Sequence, residues 1–536
     1  MFDYTTDVKN CGGCAMACPG RPNATPTCVT SDCSYACIAT YVDLDGDVNV
    51  KPRTASSDGC ECHKTEDVDL PELTFTDTNC DGIDGTVANA IFVSPLGSDS
   101  NPGTMASPKK TLKVAIATAA LLGRDVYADK GIYAETDTVQ LQGGVSIYGG
   151  YDSTAKWSRA MTNASTVQPN STTAMLGDTL TAPIEIQLMT VRSIDTSIPG
   201  AGSYGIRIVN TTKTVTIRGC TVQAGRPGNG LNGAGGATGS GASTGGAGGT
   251  GSAGGGGYSP CGARGGDGGP AVSGSRSGNT GSPGTTDVGG GTGGSGGSAG
   301  SGYGRCGASG SHGDNGGPGG PGNSGANGIN GGISAPFGGV AADGLYTPAF
   351  GKAGTGGTDG GGGGGGGSGG GNSDICFLCC NDTTSGGGGG GGGGGCGGQP
   401  GYGGTGGGAS IAVIAMGSSV VVDRCQLSPA KGGQGGNGGR GGSGGSGGSG
   451  NGGGSGASAA GAGGPGSGGG LGGAGGNGSG GAGGPSICVM YSGTVPTLSS
   501  NTCTKGGGGA GGFGGSNAVG AAPDGPSGLS EDVHSL

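Results

Sequence analysis

The sequence predicts an all-β protein: a right-handed parallel β-helix with a disulfide-rich N-terminal module and a polyglycine-II-type glycine-rich bundle inserted between its coils. Three observations carry that expectation. Glycine supplies 150 and proline 26 of the 536 residues, whereas aromatic residues make up 4% and charged residues 11%. Neither a large aromatic core nor the charge density of an acidic or basic tail is therefore available to most of the chain. Short β-branched segments recur at a fixed interval on either side of long glycine tracts, as they do in solenoids. Nine of the 19 cysteines fall within the first 86 residues, which is dense for a reducing compartment unless they hold metal.

Residues 1–86 read as a Cys- and Asp-rich module whose disulfide candidates are Cys11, Cys14, Cys18, Cys28, Cys33, Cys37, Cys60, Cys62 and Cys80. The Cys11-x-x-Cys14-x-x-x-Cys18 spacing could hold zinc or an iron–sulfur cluster, but His63 is the module's one histidine, and disulfides are favoured. The odd count leaves at least one thiol unpaired or bridged to another chain. Residues Met1 to Asp7 lack the basic start and apolar run of a leader, so export implies a natural N-terminus further upstream. At the module's end, Asp77-x-Asn79-x-Asp81-Gly82 places oxygen ligands on alternate residues before a glycine turn, with Asp84 as a fourth candidate. That is how the first half of an EF-hand-type loop wraps Ca²⁺. Ala88 stands where the bidentate glutamate would be, and a capped acidic turn accounts for the same spacing. Asp43-x-Asp45-Gly46-Asp47 is a weaker echo.

Residues 87–224 hold the first coils. Ala90 to Pro95 is a β-branched and aromatic run followed by a turn-rich stretch. Pro108 then precedes Leu112, Ala115, Ile116, Ala119 and Leu122 at helical spacing, and Gly123 closes the helix. Short strands follow at Val126–Ala128, Val139–Leu141, Val145–Tyr148, Ile184–Ile186 and Met189–Val191. Ile206-Arg-Ile208, Val215-Thr-Ile217 and Cys220 are mirrored by Ile411-Ala-Val413, Val420-Val-Val422 and Cys425. A weaker copy runs from Ile487 to Cys503. These copies mark further coils at 409–431 and 485–505, and predict an inward ladder of Cys220, Cys425 and Cys503. Each copy dissolves into glycine, so the tracts 225–408 and 432–484, and the glycine-rich polar tail 506–536, leave the same corner of successive coils. From Gly432 to Ser449 the chain is an unbroken Gly-Gly-X triplet with X being Gln434, Asn437, Arg440, Ser443, Ser446 and Ser449. A period of three is the turn of a polyproline-II-type helix, which puts X on one edge and bare glycine on the other two. Packed side by side, such helices exchange the hydrogen bonds they lack internally. Cys261, Cys306, Cys376, Cys379, Cys380 and Cys396 would staple their turns. A flexible linker is the plain alternative.

The segment Asp7-Val-Lys-Asn-Cys-Gly-Gly-Cys-Ala-Met-Ala-Cys18, with Asp45-Gly-Asp47 and Asp58-Gly-Cys-Glu61, resembles Cys-rich repeats of large myxobacterial-type surface proteins. Asp77 to Asp84 is similar to the acidic motif that follows those repeats. Ile91 to Gly103, Gly131-Ile-Tyr133 and Gly149-Gly-Tyr-Asp152 with Trp157 look like the opening coils of pectate-lyase-like β-helix proteins of the same kind. The resemblance implies export to the cell surface and a β-helix, in a family whose activities are mostly unassigned.

A net charge of −10 with no Lys/Arg run argues against nucleic acid. The longest apolar stretch, Val114 to Leu122, is half a membrane span. Catalytic candidates are thin: the coil strands carry Arg207, Arg218, Asp423 and Arg424, and His312 and His534 lack a nucleophile frame. The expected function is therefore structural and adhesive, through weak multivalent contacts with surface glycans or neighbouring copies. A polysaccharide-active β-helix enzyme is the alternative, which a carboxylate cluster on one face of the coils would favour. Ice binding is the third, since glycine-rich arthropod antifreeze proteins resemble the triplet tracts. Arg440 and Gln434 at X positions weigh against it.

Overall fold

The computed structural model describes residues 3–52, 54–286, 288–300, 313–373 and 382–536. From Ala90 onward the principal strands fall into three parallel sheets visited in rotation. The first sheet stacks Ala90–Val93, Asp125–Asp129, Ile147–Asp152, Ile184–Gln187, Val215–Arg218, Val420–Asp423 and Thr497–Ser499. The second runs from Gly131–Tyr133 through Met189–Arg192, Thr221–Ala224 and Gln426–Pro429 to Thr502–Cys503. The third runs from Val139–Gln140 through Ser203–Val209, Ser410–Met416 and Ser486–Ser492 to Ser530–Ser535. Alternation explains the strands: Val215 and Ile217 are buried inward while Thr216 and Arg218 lie half-exposed between them, the period expected of a strand with one core face. The inward side chains of all three sheets make one apolar cluster extending from Ile91 to Val489.

The corner between the first and second sheets is taken by Leu188, Gly219, Arg424 and Ser500 in successive coils, all left-handed with φ between 52° and 61°. A sharp corner at the same place in each coil selects the conformation, at a cost to the three non-glycine residues. The single α-helix among the described residues, Leu112–Leu122, packs on the first strands. The Thr111 hydroxyl accepts the Val114 N–H at its start and Gly123 ends it at φ 64°. Leu112, Ala115, Ile116 and Ala119 are buried, whereas Leu122 is exposed.

Every long glycine tract leaves after a strand of the second sheet and returns at a strand of the third: after Ala224, after Pro429 and after Cys503. The third insertion ends in Ser530–Ser535, which pairs in parallel with Ser486–Ser492, so the last residues of the expected tail form a coil strand. The tracts are packed. Residues 432–454 run outward and 461–484 return beside them, Gly463 N–H donating to Gly454 and Gly484 N–H to Gly433 at 2.9 and 2.8 Å. Along the triplet, the N–H groups of Gly436, Gly439, Gly442 and Gly445 donate to Thr405, Tyr402, Gln399 and Cys396 at 2.7–2.8 Å. A Cβ on Gly439 would lie 2.0 Å from the Ala234 carbonyl oxygen, and one on Gly438 2.0 Å from that of Gly478. Both glycine edges therefore face backbone. The X edge faces out: Gln434, Arg440, Ser443, Ser446 and Ser449 are exposed and Asn437 is half-buried.

The uninterrupted runs that break the triplet have a different place. Residues 360–371 and 385–398 are buried throughout. Gly364, Gly365 and Gly366 donate to Gly320, Ser282 and Gly389, and their carbonyls accept from Ser467, Gly294 and Gly269. With six neighbouring segments around it, such a run has no free edge on which to carry X. Ser368, the one side chain in the first run, is buried with its hydroxyl accepting the Asn279 N–H at 2.8 Å.

Two expectations about the coils need correction. The third sheet pairs Tyr204 with Ile411 and Ile206 with Val413, two residues off the register that the equal Ile-to-Cys intervals imply. Residues 417–419 form a shorter turn than 210–214, which absorbs the difference. Cys503 is also absent from the ladder. Leu427 pairs with Cys503, so the place above Cys425 belongs to Asn501, whose Oδ1 accepts the Cys425 N–H at 2.8 Å. Cys503 is bonded instead to Cys488. Cys220 and Cys425 remain as stacked, buried free thiols, the Cys220 N–H lying 3.4 Å from the Cys425 sulfur.

Candidate functional site

Among the described residues, the N-terminal module is held by Cys11–Cys28, Cys18–Cys33, Cys37–Cys60 and Cys62–Cys80, and Cys261–Cys396 staples the bundle. Together with Cys488–Cys503, these disulfides go with an oxidising environment. Cys14 corrects the list of disulfide candidates, because it is free and exposed. Cys306, Cys376, Cys379 and Cys380 lie outside the described residues.

The oxygens of the Asp77–Asp84 loop are taken largely by its own backbone. Asp77 accepts the Asp81 and Gly82 N–H groups at 3.2 and 2.8 Å, Asn79 Oδ1 accepts Asp81 N–H at 3.0 Å, and Asp81 accepts Val87 N–H at 2.8 Å. This is a capped turn. Asp84 leaves the expected ligand set altogether: its carboxylate meets Arg159 at 2.8 Å, with both side chains buried. Burial pushes the Asp84 carboxyl up to about 6, although the Arg159 charge pulls the other way. Arg159 also donates to the Glu72 and Gly149 carbonyls and to Gln187 Oε1, and Tyr151 donates to the Asp84 carbonyl at 2.6 Å. The loop thus docks the module's end onto the aromatic outer face of the first sheet, where Phe92, Tyr127, Tyr148, Tyr151 and Trp157 cluster.

Carboxylates gather instead at the weaker echo. Oxygens of Asp43, Asp45 and Glu61, and of Asp45, Asp47 and Asp58, lie within 4.8 Å of one another. Desolvation, then the charges of Asp47, Asp45 and Glu61, raises the pKa of Asp58. None of the five is ion-paired among the described residues, and the nearby Arg21 guanidinium is spent on the Asp47 and Val48 carbonyls at 2.7 and 2.6 Å. This loop caps its own backbone too, Asp43 accepting the Gly46, Asp47 and Val48 N–H groups and Glu61 those of Leu44 and Asp45. What distinguishes it from the Asp77 turn is the gathering of five carboxylates, an all-oxygen set of a charge that suits a hard cation such as Ca²⁺. On the coils, Arg218 lies between Glu185 at 3.0 Å and Asp423 at 3.2 Å, and Arg424 also meets Asp423 at 3.1 Å. The Arg218 pairs run across strands and the Arg424 pair joins sequence neighbours.

Sequence reasoning missed the asparagines of the bundle. Asn229 and Asn232 accept the backbone N–H groups of Gln434 and Asn437, and Asn315, Asn327 and Asn330 accept those of Ala462, Ala474 and Asn477, all at 2.8–2.9 Å. Where a segment's N–H meets no neighbouring carbonyl, a side-chain amide supplies the acceptor, at the buried Asn477 as well as at the exposed Gln434. The three-residue spacing of Asn229–Asn232 and Asn327–Asn330 was the available signal.

No protein-family model, curated protein or solved structure significantly matches the chain.

Proposed function

We propose that the chain is an extracellular or cell-surface structural and adhesive protein of the myxobacterial-type Cys-rich kind, in which the three sheets form a right-handed parallel β-helix and the glycine tracts a polyglycine-II bundle. The observation that carries this reading is the exposed X edge: Gln434, Arg440, Ser443, Ser446 and Ser449 project at every third residue from a backbone held on both other edges. A rigid row of short polar groups makes individually weak contacts with glycans or neighbouring copies, and repetition converts them into avidity. Retention on surfaces of rising glycan density, with sedimentation of the free chain over a concentration series, tests it. Binding that rises steeply with density, or concentration-dependent association, is expected. A monomer whose retention follows density no more steeply than single-site binding overturns the reading.

Calcium enters this proposal at the Asp43–Asp47 loop with Asp58 and Glu61, where it would relieve like-charge repulsion. Calorimetric titration should show one site lost in Asp45→Asn and kept in Asp81→Ala. A loss in Asp81→Ala alone would return the site to the Asp77–Gly82 turn. The enzyme alternative needs acid and base carboxylates free to exchange protons. The carboxylate triplets among the described residues lie in the module, and Glu185 and Asp423 on the coils are paired to arginine. That distribution favours the non-catalytic reading.

A further inference from the structure

A groove runs along the corner where the glycine tracts leave the second sheet. Its central cavity of about 880 Å³ lies between Asp195, Arg226 and Lys431. At one end it continues, sharing Asp195, into a polar recess of about 280 Å³ lined by Arg192, Gln168 and Gln223. At the other, sharing Pro199 and Leu231, it opens onto an apolar recess of about 290 Å³ with Pro348 and Phe350. Coil register explains the charges. Thr190 pairs with Thr221, and Thr221 with Gln426, so Asp195, Arg226 and Lys431 occupy equivalent positions in successive coils. The three form a column whose steps are one strand spacing, about 4.8 Å.

Three features of this groove point to a ligand. Arg192, Arg226 and Lys431 are exposed, and none is ion-paired among the described residues, in a chain with a net charge of −10. Elsewhere on the coils Lys130 and Arg424 have carboxylate partners while, among the described residues, Lys156 and Lys213 stand singly. What sets the groove cations apart is that Arg226 and Lys431 stack in one cavity that continues to Arg192. Asp195, the one acid in the column, already accepts the Arg226 backbone N–H at 2.7 Å. Leu231 and Phe350 are 57% and 58% exposed, an apolar platform continuous with the charged stretch. Unpaired cations in a row beside an apolar floor complement a chain that alternates anionic groups with apolar faces.

We propose that this groove binds a linear anionic polysaccharide, with Arg192, Arg226 and Lys431 taking its carboxylate or sulfate groups and Leu231 and Phe350 packing beneath its sugar rings. The proposal rests on the glycan-adhesive reading and names the class of glycan and the place that holds it. It differs from the X edge in being a single shaped site on the coils.

The test measures binding of the full chain to polygalacturonate, to dextran sulfate and to neutral dextran, in EDTA so that no divalent ion bridges the acidic module. Polygalacturonate and dextran sulfate separate carboxylate from sulfate recognition, and neutral dextran should not bind. Arg226→Glu with Lys431→Glu should weaken binding by roughly tenfold or more, equivalent to about 1.4 kcal/mol or more, and flatten its salt dependence. Arg226→Lys with Lys431→Arg should restore it. Phe350→Ala should weaken binding several-fold with the salt dependence unchanged. Lys156→Glu with Lys213→Glu, two exposed lysines away from both the groove and the X edge, makes the same kind of charge reversal and should leave affinity within about twofold. An equal loss in this control, no loss in the Arg226→Glu, Lys431→Glu variant, or equal binding of neutral dextran overturns the groove. So does a groove variant that loses self-association while still binding the polyanions, which would make the groove a contact between copies. If the wild type ignores all three polymers yet is retained on dense glycan surfaces, the groove fails and the adhesive reading stands. If retention fails too and the chain stays monomeric, both fail.

Discussion

Gly439→Val should strip hydrogen-exchange protection from the amides around it, whereas Ser443→Ala, four residues along the same segment, should leave protection unchanged. Gly439 donates to the Tyr402 carbonyl at 2.7 Å, and an added Cβ would sit 2.0 Å from the Ala234 oxygen. The clash is backbone on backbone, so no rotamer relieves it, and one of two packed segments must shift. Gly366→Ala in the central run meets the Gly464 oxygen at 2.0 Å and has neighbours on all sides, so it should cost at least as much. Overpacking of this kind costs about 1–3 kcal/mol in ordinary cores, and the upper end is expected where nothing but main chain can yield. Ser443 is exposed on the X edge, and its loss removes no buried contact. The readout should be local exchange rather than a global melt, because the glycine segments are held by their own backbone network and meet the coils mainly at the corners and at the Phe337–Tyr346 patch on the third sheet, so they need not unfold together with them. Uniformly unprotected tract amides in the wild type would contradict the packed bundle.

What the sequence revealed here and what it hid have physical causes. Strands such as Val215–Arg218 and Val420–Asp423 were legible because alternation is local, and so was the Gly-Gly-X edge. The register of Ser203–Val209 on Ser410–Met416 was not, because a two-residue slip keeps the same side chains inward and leaves no mark in the alternation. Cys503 misses the ladder for a different reason: the third coil keeps the register of the second in all three sheets, and because its Ile-to-Cys interval is longer, Asn501 stands above Cys425. The full burial of residues 360–371 was not legible, because the number of neighbours around a segment is a property of the whole bundle. The Asp77–Asp84 motif was legible as an acidic turn, but Arg159 is 75 residues from Asp84, and nothing local announces that pair. The groove was hidden for the same reason: Arg226 and Lys431 are 205 residues apart and become neighbours only through coil register.

Arg159→Ala should release the end of the Cys-rich module from the first sheet and lower stability by about 3–5 kcal/mol near neutral pH, the usual cost of removing one partner of a buried ion pair. Arg159 bonds Asp84 and the Glu72 carbonyl on one side, and the Gly149 carbonyl and Gln187 on the other. Its loss leaves a buried carboxylate without a counter-charge and three acceptors without a donor. The deficit should depend on pH with a definite sign. The Asp84 carboxyl is raised from 3.8 to about 6 in the fold, so between those values the folded chain holds a proton that the unfolded chain has released. Its contribution is therefore present in full below pH 4 and is lost as pH rises through about 6. Without Arg159 the carboxyl has still less reason to ionise, and the window extends upward. Lowering the pH toward 5 should then recover part of the melting temperature lost by Arg159→Ala, because a neutral Asp84 needs no counter-charge. Limited proteolysis should cut first between residues 66 and 87 in the variant, and the wild type should resist there. A melting temperature unchanged by Arg159→Ala, or a deficit that grows on acidification, would show that the pair does not hold the module to the coils.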